Sequence, residues 1–191
     1  MTLPSSYFDD LYRRDADPWK FETKPYEHEK YAATLAALPR EHFQSGLEIG
    51  CSIGVLTRML AAHCDHLLSV DASELPLQRA RERNADLQHV RFERMRLPAE
   101  FPREHFDLIV MSEVGYYFDR ADLERVQNLL LGALEADGIL VLVHYLPRVP
   151  DYPLTGDEVH QSFLALAARG TLRHLCGFRA ERYRLDVFAK P

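Results

Sequence analysis

Short apolar runs alternate with stretches of helical spacing along most of the chain. Five runs have the length and composition of buried strands, at 47–50, 66–70, 89–93, 106–112 and 139–145. Apolar residues spaced three or four positions apart predict intervening helices over 53–63, 74–85 and 121–135. Ser73 is placed to cap the second helix, Asp119 or Asp122 lies near the start of the third, and Asp137-Gly138 predicts a turn. This alternation indicates a mainly parallel sheet covered on both faces.

The two ends of the chain differ from this repeating middle. Residues 1–25 are rich in aromatic and charged side chains and contain three prolines, which predicts an irregular arm with one short helix. A helix is expected over 26–38 and ends at Pro39. The C-terminal part predicts one more helix and two alternating strands, at 156–169, 171–178 and 182–189. The whole pattern is that of one doubly wound α/β domain with a terminal antiparallel hairpin.

Composition narrows the class of protein. Of 191 residues, 47% are hydrophobic and 27% are charged, as in soluble globular domains. The 23 basic and 29 acidic side chains give a net charge of −6, which disfavours nucleic acid and anionic membranes as partners because both are bound through clustered Lys and Arg. Cys51, Cys64 and Cys176 form no CxxC pair, so neither a disulfide framework nor a metal site is expected. With no signal-type or membrane-spanning apolar run, the expected location is the reducing cytoplasm.

The sharpest local signal, LEIGCSIG, lies where the first strand meets its helix. Gly50 and Gly54 would let backbone amides approach a ligand at the carboxyl end of the sheet, although a tight turn explains two glycines equally well. Ser52 stands where a dinucleotide-binding GxGxxG motif needs its second glycine, and Glu48 would repel a pyrophosphate. Asp71 ends the second strand, where a carboxylate either accepts both hydroxyls of a ribose or interacts with the next helix. These features disfavour a nicotinamide-dependent oxidoreductase.

Three of these segments resemble a known family. LEIGCSIGVLT, VDAS and FDLIVMSEVGYYF together resemble class I S-adenosylmethionine-dependent methyltransferases. The arm, FDDLYRRDADPWKFETKPYEHEKYAATLAALP, with the later PLTGDEVH and YRLDVF, is similar to the NodS-type subfamily, whose members methylate a glucosamine nitrogen of chitin oligosaccharides in rhizobial nodulation. The resemblance implies a doubly wound, mainly parallel, seven-stranded Rossmann-like methyltransferase sheet with a C-terminal hairpin. It divides the single domain 1–191 into an arm and helix that can act as a lid, a cofactor-binding core and an acceptor side, at 1–40, 46–145 and 146–191.

The resemblance also implies that S-adenosylmethionine is the cofactor and that S-adenosylhomocysteine is the product. Asp71 matches the ribose-binding acid, and Met95 is expected on the adenine face. Trp19, Phe21 and Tyr26 of the arm are expected to close over the cofactor. The full set of cofactor-binding residues expected is Glu48, Gly50, Cys51, Gly54, Asp71, Ala72, Arg94, Met95, Ser112 and Trp19.

Methyl transfer to an amine requires a nitrogen that has lost a proton, so a nearby carboxylate or imidazole is a candidate acceptor for it. Glu113 and His144 sit at strand ends and are the first candidates, with His160 next, although alignment alone is an open alternative. Tyr117 and its neighbour Tyr116 are expected in the pocket. The loop after the fifth strand offers Tyr145, Asp151 and Tyr152 as a groove for the acceptor.

The expected partner is a small-molecule or oligosaccharide acceptor, while the oligomeric state stays open. Two alternatives within the same fold are an O-methyltransferase and a non-catalytic domain that binds S-adenosylmethionine. A methyltransferase acting on nucleic-acid bases is disfavoured, because SEVGYY stands where such enzymes carry an NPPY- or DPPY-type run.

Overall fold

Seven strands and six helices make up most of the chain, and the computed structural model describes every residue from Met1 to Pro191. The strands are β1 (Phe43–Ile49), β2 (Cys64–Asp71), β3 (Val90–Arg94), β4 (Phe106–Ser112), β5 (Leu134–Tyr145), β6 (Arg173–Arg179) and β7 (Tyr183–Ala189). The helices are α1 (Ser5–Arg14), α2 (Pro25–Ala36), α3 (Val55–Leu60), α4 (Glu74–Arg83), α5 (Arg120–Ala133) and α6 (Gly156–Ala168). None of these helices has the length and apolar character needed to cross a membrane.

All seven strands form one sheet in the order β3-β2-β1-β4-β5-β7-β6. The first five strands are parallel, and β7 runs antiparallel between β5 and β6. The predicted doubly wound sheet with a terminal hairpin is therefore confirmed. β1 and β4 are neighbours, and the chain winds outward from them in both directions. In such sheets the crevice for a ligand lies at the carboxyl ends of these two central strands.

The apolar core lies in two layers, one on each face of the sheet. On one face, Leu123 and Val126 of α5 and Phe163 of α6 pack against the sheet. On the other, Tyr31 of α2 and Leu56 of α3 do so. Because both faces are covered, the central strands consist almost entirely of apolar residues, which is why FDLIVMS was recognisable as a strand.

Several element boundaries differ from the sequence prediction. β1 begins at Phe43 rather than at residue 47, because the Asp107 carboxylate accepts hydrogen bonds from the amides of Gln44 (3.0 Å) and Ser45 (2.8 Å) and holds this segment to the sheet. The helix expected over 53–63 is α3 followed by a short 3-10 turn. The turn expected at Asp137-Gly138 is an irregularity inside β5, where the pairing with β4 shifts register.

The N-terminal arm lies across the carboxyl ends of the strands. The Leu3 amide donates to the Tyr117 carbonyl over 2.9 Å. The Tyr12 and Ser52 hydroxyls lie 2.5 Å apart, and the Ser73 hydroxyl donates to the Asp9 carboxylate. The arm therefore covers the crevice that the sheet topology creates.

Candidate active site

A cavity of about 390 Å³ lies between the arm and the carboxyl ends of the central strands. Its volume is within the range of roughly 300–1,000 Å³ that small-molecule sites occupy. Eight of the predicted site residues line it: Trp19, Gly50, Asp71, Ala72, Met95, Ser112, Glu113 and Tyr117. The other predicted site residues lie outside it, namely Glu48, Cys51, Gly54, Arg94 and His144.

The turn after β1 brings its backbone to the cavity wall. Gly50 has a φ of 80°, and a Cβ there would collide with Val114. Gly54 has a φ of 75° and is the N-cap of α3, and a Cβ on it would lie 2.6 Å from Asn84 Nδ2. Both positions therefore require glycine, but Gly54 serves helix packing and does not line the cavity. Ser52, between them, also adopts positive φ (51°) and does line it.

Asp71 presents a fixed carboxylate at the end of β2. One oxygen accepts from the Ser52 amide and the other from the Ser73 amide, each at 3.0 Å. Burial raises the pKa of Asp71 to about 6, against the effect of these hydrogen bonds. A carboxylate held in this way has lone pairs left for two hydroxyl donors, which is the chemistry that the sequence predicted for it.

Glu48 lies behind the wall rather than in it. Its side chain accepts from Thr57 Oγ1 at 2.5 Å and from Ser69 Oγ at 2.7 Å. Burial raises the pKa of Glu48 to about 7. With Cys51 it lines a side cavity of about 20 Å³, which is large enough for one water molecule. Direct contact with a ligand in the main cavity is therefore not supported for Glu48 or Cys51.

The wall after β3 is mainly apolar. Met95 and Leu97 line the cavity together with Ile49 and Val70 and offer surfaces suited to a flat aromatic base. Arg94 was expected here but is exposed and lies outside, because successive residues of an extended chain point in opposite directions.

Aromatic residues of the arm form the roof. Trp19 stacks on Phe21 with ring centroids 5.6 Å apart and meets the edge of Tyr12 at 5.7 Å. All three line the cavity, as does Tyr26. Tyr12 was missed in the sequence, where nothing distinguishes it from the other arm aromatics. The aromatic rings of the arm thus line the cavity, and their closing over a cofactor as a lid stays a prediction.

Glu113 follows β4 and has a φ of 59°, which places its carboxylate in the cavity wall. Its Oε1 accepts from Lys30 Nζ at 2.5 Å. Its Oε2 accepts from the Tyr116 hydroxyl and from the Tyr145 amide at 2.9 Å. Both oxygens are therefore engaged, and this geometry favours an electrostatic role over that of proton acceptor.

Tyrosines at or after the ends of β4 and β5 line another part of the cavity wall. Tyr116 stacks on Tyr152 with centroids 5.0 Å apart, and Tyr117 meets the ring edge of Tyr152 at 4.8 Å. Tyr145 also lines the cavity, whereas Asp151 does not. Part of the groove expected from the loop after β5 is thus present.

His144 is completely buried and belongs to a chain of hydrogen bonds outside the cavity. Its Nε2 accepts from the Gly115 amide at 2.9 Å, and its Nδ1 lies 3.1 Å from His160 Nε2. His160 Nδ1 in turn lies 2.6 Å from the Asp186 carboxylate. Both ring nitrogens of His144 are occupied, so neither His144 nor His160 is placed to take a proton from an acceptor. These hydrogen bonds instead fix the turn that carries Tyr116 and Tyr117.

Replacing His144 with glutamine is expected to lower the free energy of unfolding at pH 7 by about 1–3 kcal/mol, because buried polar partners are left unpaired. Burial lowers the pKa of His144, and also that of His160 against the pull of Asp186. The unfolded chain takes up protons near pH 6.5, so these histidines destabilise the fold as the pH falls below that value. In urea unfolding between pH 7 and pH 5, the destabilisation caused by these buried histidines should therefore be smaller in the His144→Gln variant than in the parent.

The raised pKa values of Glu48 and Asp71 stabilise the fold as the pH falls, which opposes the effect of the histidines. The quantity to measure is therefore the difference in the free energy of unfolding between the parent and the variant. His42→Gln, at an exposed histidine, is the matched control and should follow the parent. Equal pH dependence in the parent and the His144→Gln variant would contradict the assignment of His144 as a buried neutral residue.

A model of the Nodulation protein S (NodS) family matches residues 6–145, which is most of the chain. The chain belongs to the NodS family. This confirms the resemblance seen in the sequence. Nodulation protein S of Bradyrhizobium diazoefficiens is 33% identical over 127 residues, covering 65% of this chain and 61% of that protein. The relative from Rhizobium tropici is also 33% identical over 127 residues, covering 65% of this chain and 53% of that protein. The matched region thus spans only about half to three fifths of these NodS relatives.

Solved structures share the fold over nearly the full length. A Pseudomonas syringae protein with a provisional methyltransferase assignment is 39% identical, with a TM-score of 0.76 over 87% of this chain and 100% of that one. The N-methyltransferase NodS of Bradyrhizobium japonicum WM9, solved with S-adenosyl-L-homocysteine, gives a TM-score of 0.80 at 23% identity over 98% of both chains. The sheet of this NodS-family chain is therefore the Rossmann-like methyltransferase fold.

Proposed function

We propose that this chain is an S-adenosylmethionine-dependent methyltransferase that transfers the methyl group to an amino nitrogen. One observation carries the proposal: the Asp71 carboxylate, held by two backbone amides, lines the cavity at the carboxyl ends of the strands. Membership of the NodS family and the structural likeness to the N-methyltransferase NodS of Bradyrhizobium japonicum support it. The acceptor that fits this support best is an amino sugar, alone or at the end of an oligosaccharide.

The residues present fit the proposed cofactor. Asp71 would accept the ribose hydroxyls, with Ala72 beside it. Met95 and the apolar residues around it would hold the adenine, and Gly50 and Ser112 would border the methionine part. Trp19 would close the site from the arm. Glu48 would influence the cofactor only indirectly, across the small side cavity, and Cys51 would contribute backbone atoms. Gly54 would shape the turn, and Arg94 would take no direct part.

The cofactor, when bound, supplies a methyl group on a positively charged sulfur. The protein has to align the acceptor nitrogen with that methyl group and to exclude water. The arm does the second by covering the cavity. Tyr116 and Tyr117 line the cavity with aromatic rings, which favour positive charge, and Glu113 does the same with its carboxylate. Because Lys30 and Tyr116 hold Glu113 in place, its charge is available without reorganisation.

Incubation of the protein with methyl-labelled S-adenosylmethionine and short glucosamine oligomers is expected to label the oligomers. The fully N-acetylated oligomers are the matched control, since they differ only in having no free amine and should stay unlabelled. Mass spectrometry of the product should place the methyl group on nitrogen. Labelling of acetylated oligomers, or of oxygen, would contradict N-methylation and would favour an O-methyltransferase.

A further inference from the structure

A buried cluster of charged side chains lies in the cavity wall on the side away from Asp71. Lys30 of α2 is only 2% exposed, and its Nζ lies 2.5 Å from Glu113 Oε1 and 2.8 Å from Glu27 Oε2. Glu27 is one helical turn earlier, with 8% of its side chain exposed. All three residues line the cavity. Neither Glu27 nor Lys30 was singled out from the sequence.

This cluster has a net charge of −1 when its groups are ionised, since the carboxylates of Glu27 and Glu113 face the single ammonium of Lys30. The other basic residues of the cavity wall, Lys24, Arg96 and Arg182, are exposed at its rim, so solvent screens their charge. Arg182 comes nearest, with its guanidinium 5.5 Å from the centroid of the Tyr26 ring. Arg96 is paired with Glu100 at 2.8 Å, and Arg182 donates to the Tyr145 hydroxyl. A buried charge that lacks its counter-charge is costly, so this wall favours a cationic ligand.

One hydroxyl of this wall is left without a partner, and one carboxylate has only a shared one. Glu27 Oε2 is buried, and its one charged partner is the Lys30 ammonium at 2.8 Å, which also binds Glu113. The Tyr26 hydroxyl, on the preceding residue, is buried and has no hydrogen-bond partner. Buried polar atoms are nearly always paired, so the Tyr26 hydroxyl, beside this carboxylate, marks where a donor group of a ligand fits.

We infer that Glu27 and Tyr26 form the subsite that binds the ammonium group of the methyl acceptor. A primary ammonium has three N–H donors, which matches one carboxylate and one hydroxyl and leaves a third direction for the rest of the site. A neutral hydroxyl acceptor would leave the negative charge uncompensated. The inference rests on the proposed function and assigns the two residues that hold the amine of its acceptor.

The position of the subsite separates it from the proposed cofactor site. The Tyr26 ring meets the edge of Tyr183, at the start of β7, at 6.0 Å, and Arg182 lies 5.5 Å above it. In the sheet order, β7 and β2 lie on opposite sides of the central pair β1 and β4. Tyr26 and Glu27 therefore face the acceptor half, whereas Asp71 is in the other half.

Glu27 is also the carboxylate placed to receive the proton that the acceptor has to lose. One proton passes from the bound ammonium to Glu27, which leaves a lone pair on nitrogen. This pair forms the bond to the methyl carbon, while the carbon–sulfur bond breaks and its electrons stay on sulfur. Burial, opposed by the charge of Lys30, raises the pKa of Glu27 and makes it a stronger base than an exposed glutamate.

The test measures binding and turnover in the Glu27→Gln variant, with Glu29→Gln as the matched control on the exposed side of the same helix. The probes are glucosamine and N-acetylglucosamine, titrated by calorimetry into the protein saturated with S-adenosylhomocysteine. We expect glucosamine to bind the parent at least about tenfold more tightly than the acetylated sugar, and Glu27→Gln to remove this preference. Tyr26→Phe should weaken glucosamine binding to a smaller extent. Labelled methyl transfer should fall about 100-fold in Glu27→Gln.

S-adenosylhomocysteine binding separates the inference from the proposed function and also reports correct folding. If Glu27→Gln and the control both bind it within about threefold of the parent while glucosamine binding is unchanged, the inference is overturned and the cofactor proposal stands. Equal loss of S-adenosylhomocysteine and glucosamine binding would assign Glu27 to the cofactor and overturn the inference as well. If the parent binds S-adenosylhomocysteine but shows no preference for the free amine, the subsite is likewise refuted. If the parent does not bind S-adenosylhomocysteine, the proposed function itself fails.

Discussion

Replacing Asp71 with alanine is expected to weaken the binding of S-adenosylmethionine by about 100-fold or more. Each hydrogen bond to a charged group contributes roughly 1.5–3 kcal/mol, and the carboxylate is placed to accept two from a ribose. The residue is also bound by the Ser52 and Ser73 amides, so some loss of stability will accompany the loss of affinity. Calorimetric titration gives the affinity, and circular dichroism with thermal unfolding shows whether the fold persists.

Asp65→Asn is the matched control for this prediction, because Asp65 lies near the other end of β2 and is exposed. Its affinity for the cofactor should equal that of the parent. In the parent, affinity should fall as the pH drops through about 6, since protonation of Asp71 removes the charge that the ribose hydroxyls bind. Unchanged affinity in a folded Asp71→Ala variant would refute the assignment of this carboxylate to the ribose.

Replacing Glu113 with glutamine is expected to lower kcat by about 100-fold and to leave cofactor affinity within about threefold. The charge would be lost at the point where positive charge develops on the acceptor nitrogen. Glutamine has the same shape, but Lys30 would then have only Glu27 as a charged partner. Steady-state kinetics with labelled methyl groups measure kcat, and calorimetry measures the affinity for S-adenosylhomocysteine.

Glu104→Gln tests whether any acidic residue near β4 would have the same effect, because Glu104 precedes the strand and is exposed. It should leave both quantities unchanged. His144→Gln should likewise keep most of its turnover once it is folded, because His144 does not line the cavity. A kcat for Glu113→Gln equal to that of the parent would mean that the carboxylate only supports the structure.

The strand–helix pattern predicted the fold well because each element of a doubly wound sheet is specified locally. FDLIVMS is recovered as β4 residue for residue, and Ser73 caps α4 as predicted. Of the two aspartates expected near the start of α5, Asp119 is the cap. The start of β1 could not be predicted in this way. It depends on Asp107, a residue 62 positions away whose carboxylate binds the Ser45 amide.

Candidate site residues were predictable where the ends of parallel strands determine position, as for Asp71 and Glu113. The same rule misplaced His144, because being near a strand end does not say which face of the sheet a side chain takes. Glu27 and Lys30 were missed for a different reason. An acid and a base three residues apart on a helix are typical of a solvated surface pair. Only tertiary packing buries them beside Glu113.

Calorimetric titration with S-adenosylmethionine, S-adenosylhomocysteine and NAD tests the central claim most directly. The cavity geometry and the Asp71 carboxylate lead us to expect micromolar binding of the first two compounds and no binding of NAD. The single tryptophan, Trp19, lines the cavity, so its fluorescence should change in the same titration. Binding of NAD, or of none of the three, would contradict the proposal that this chain is an S-adenosylmethionine-dependent methyltransferase.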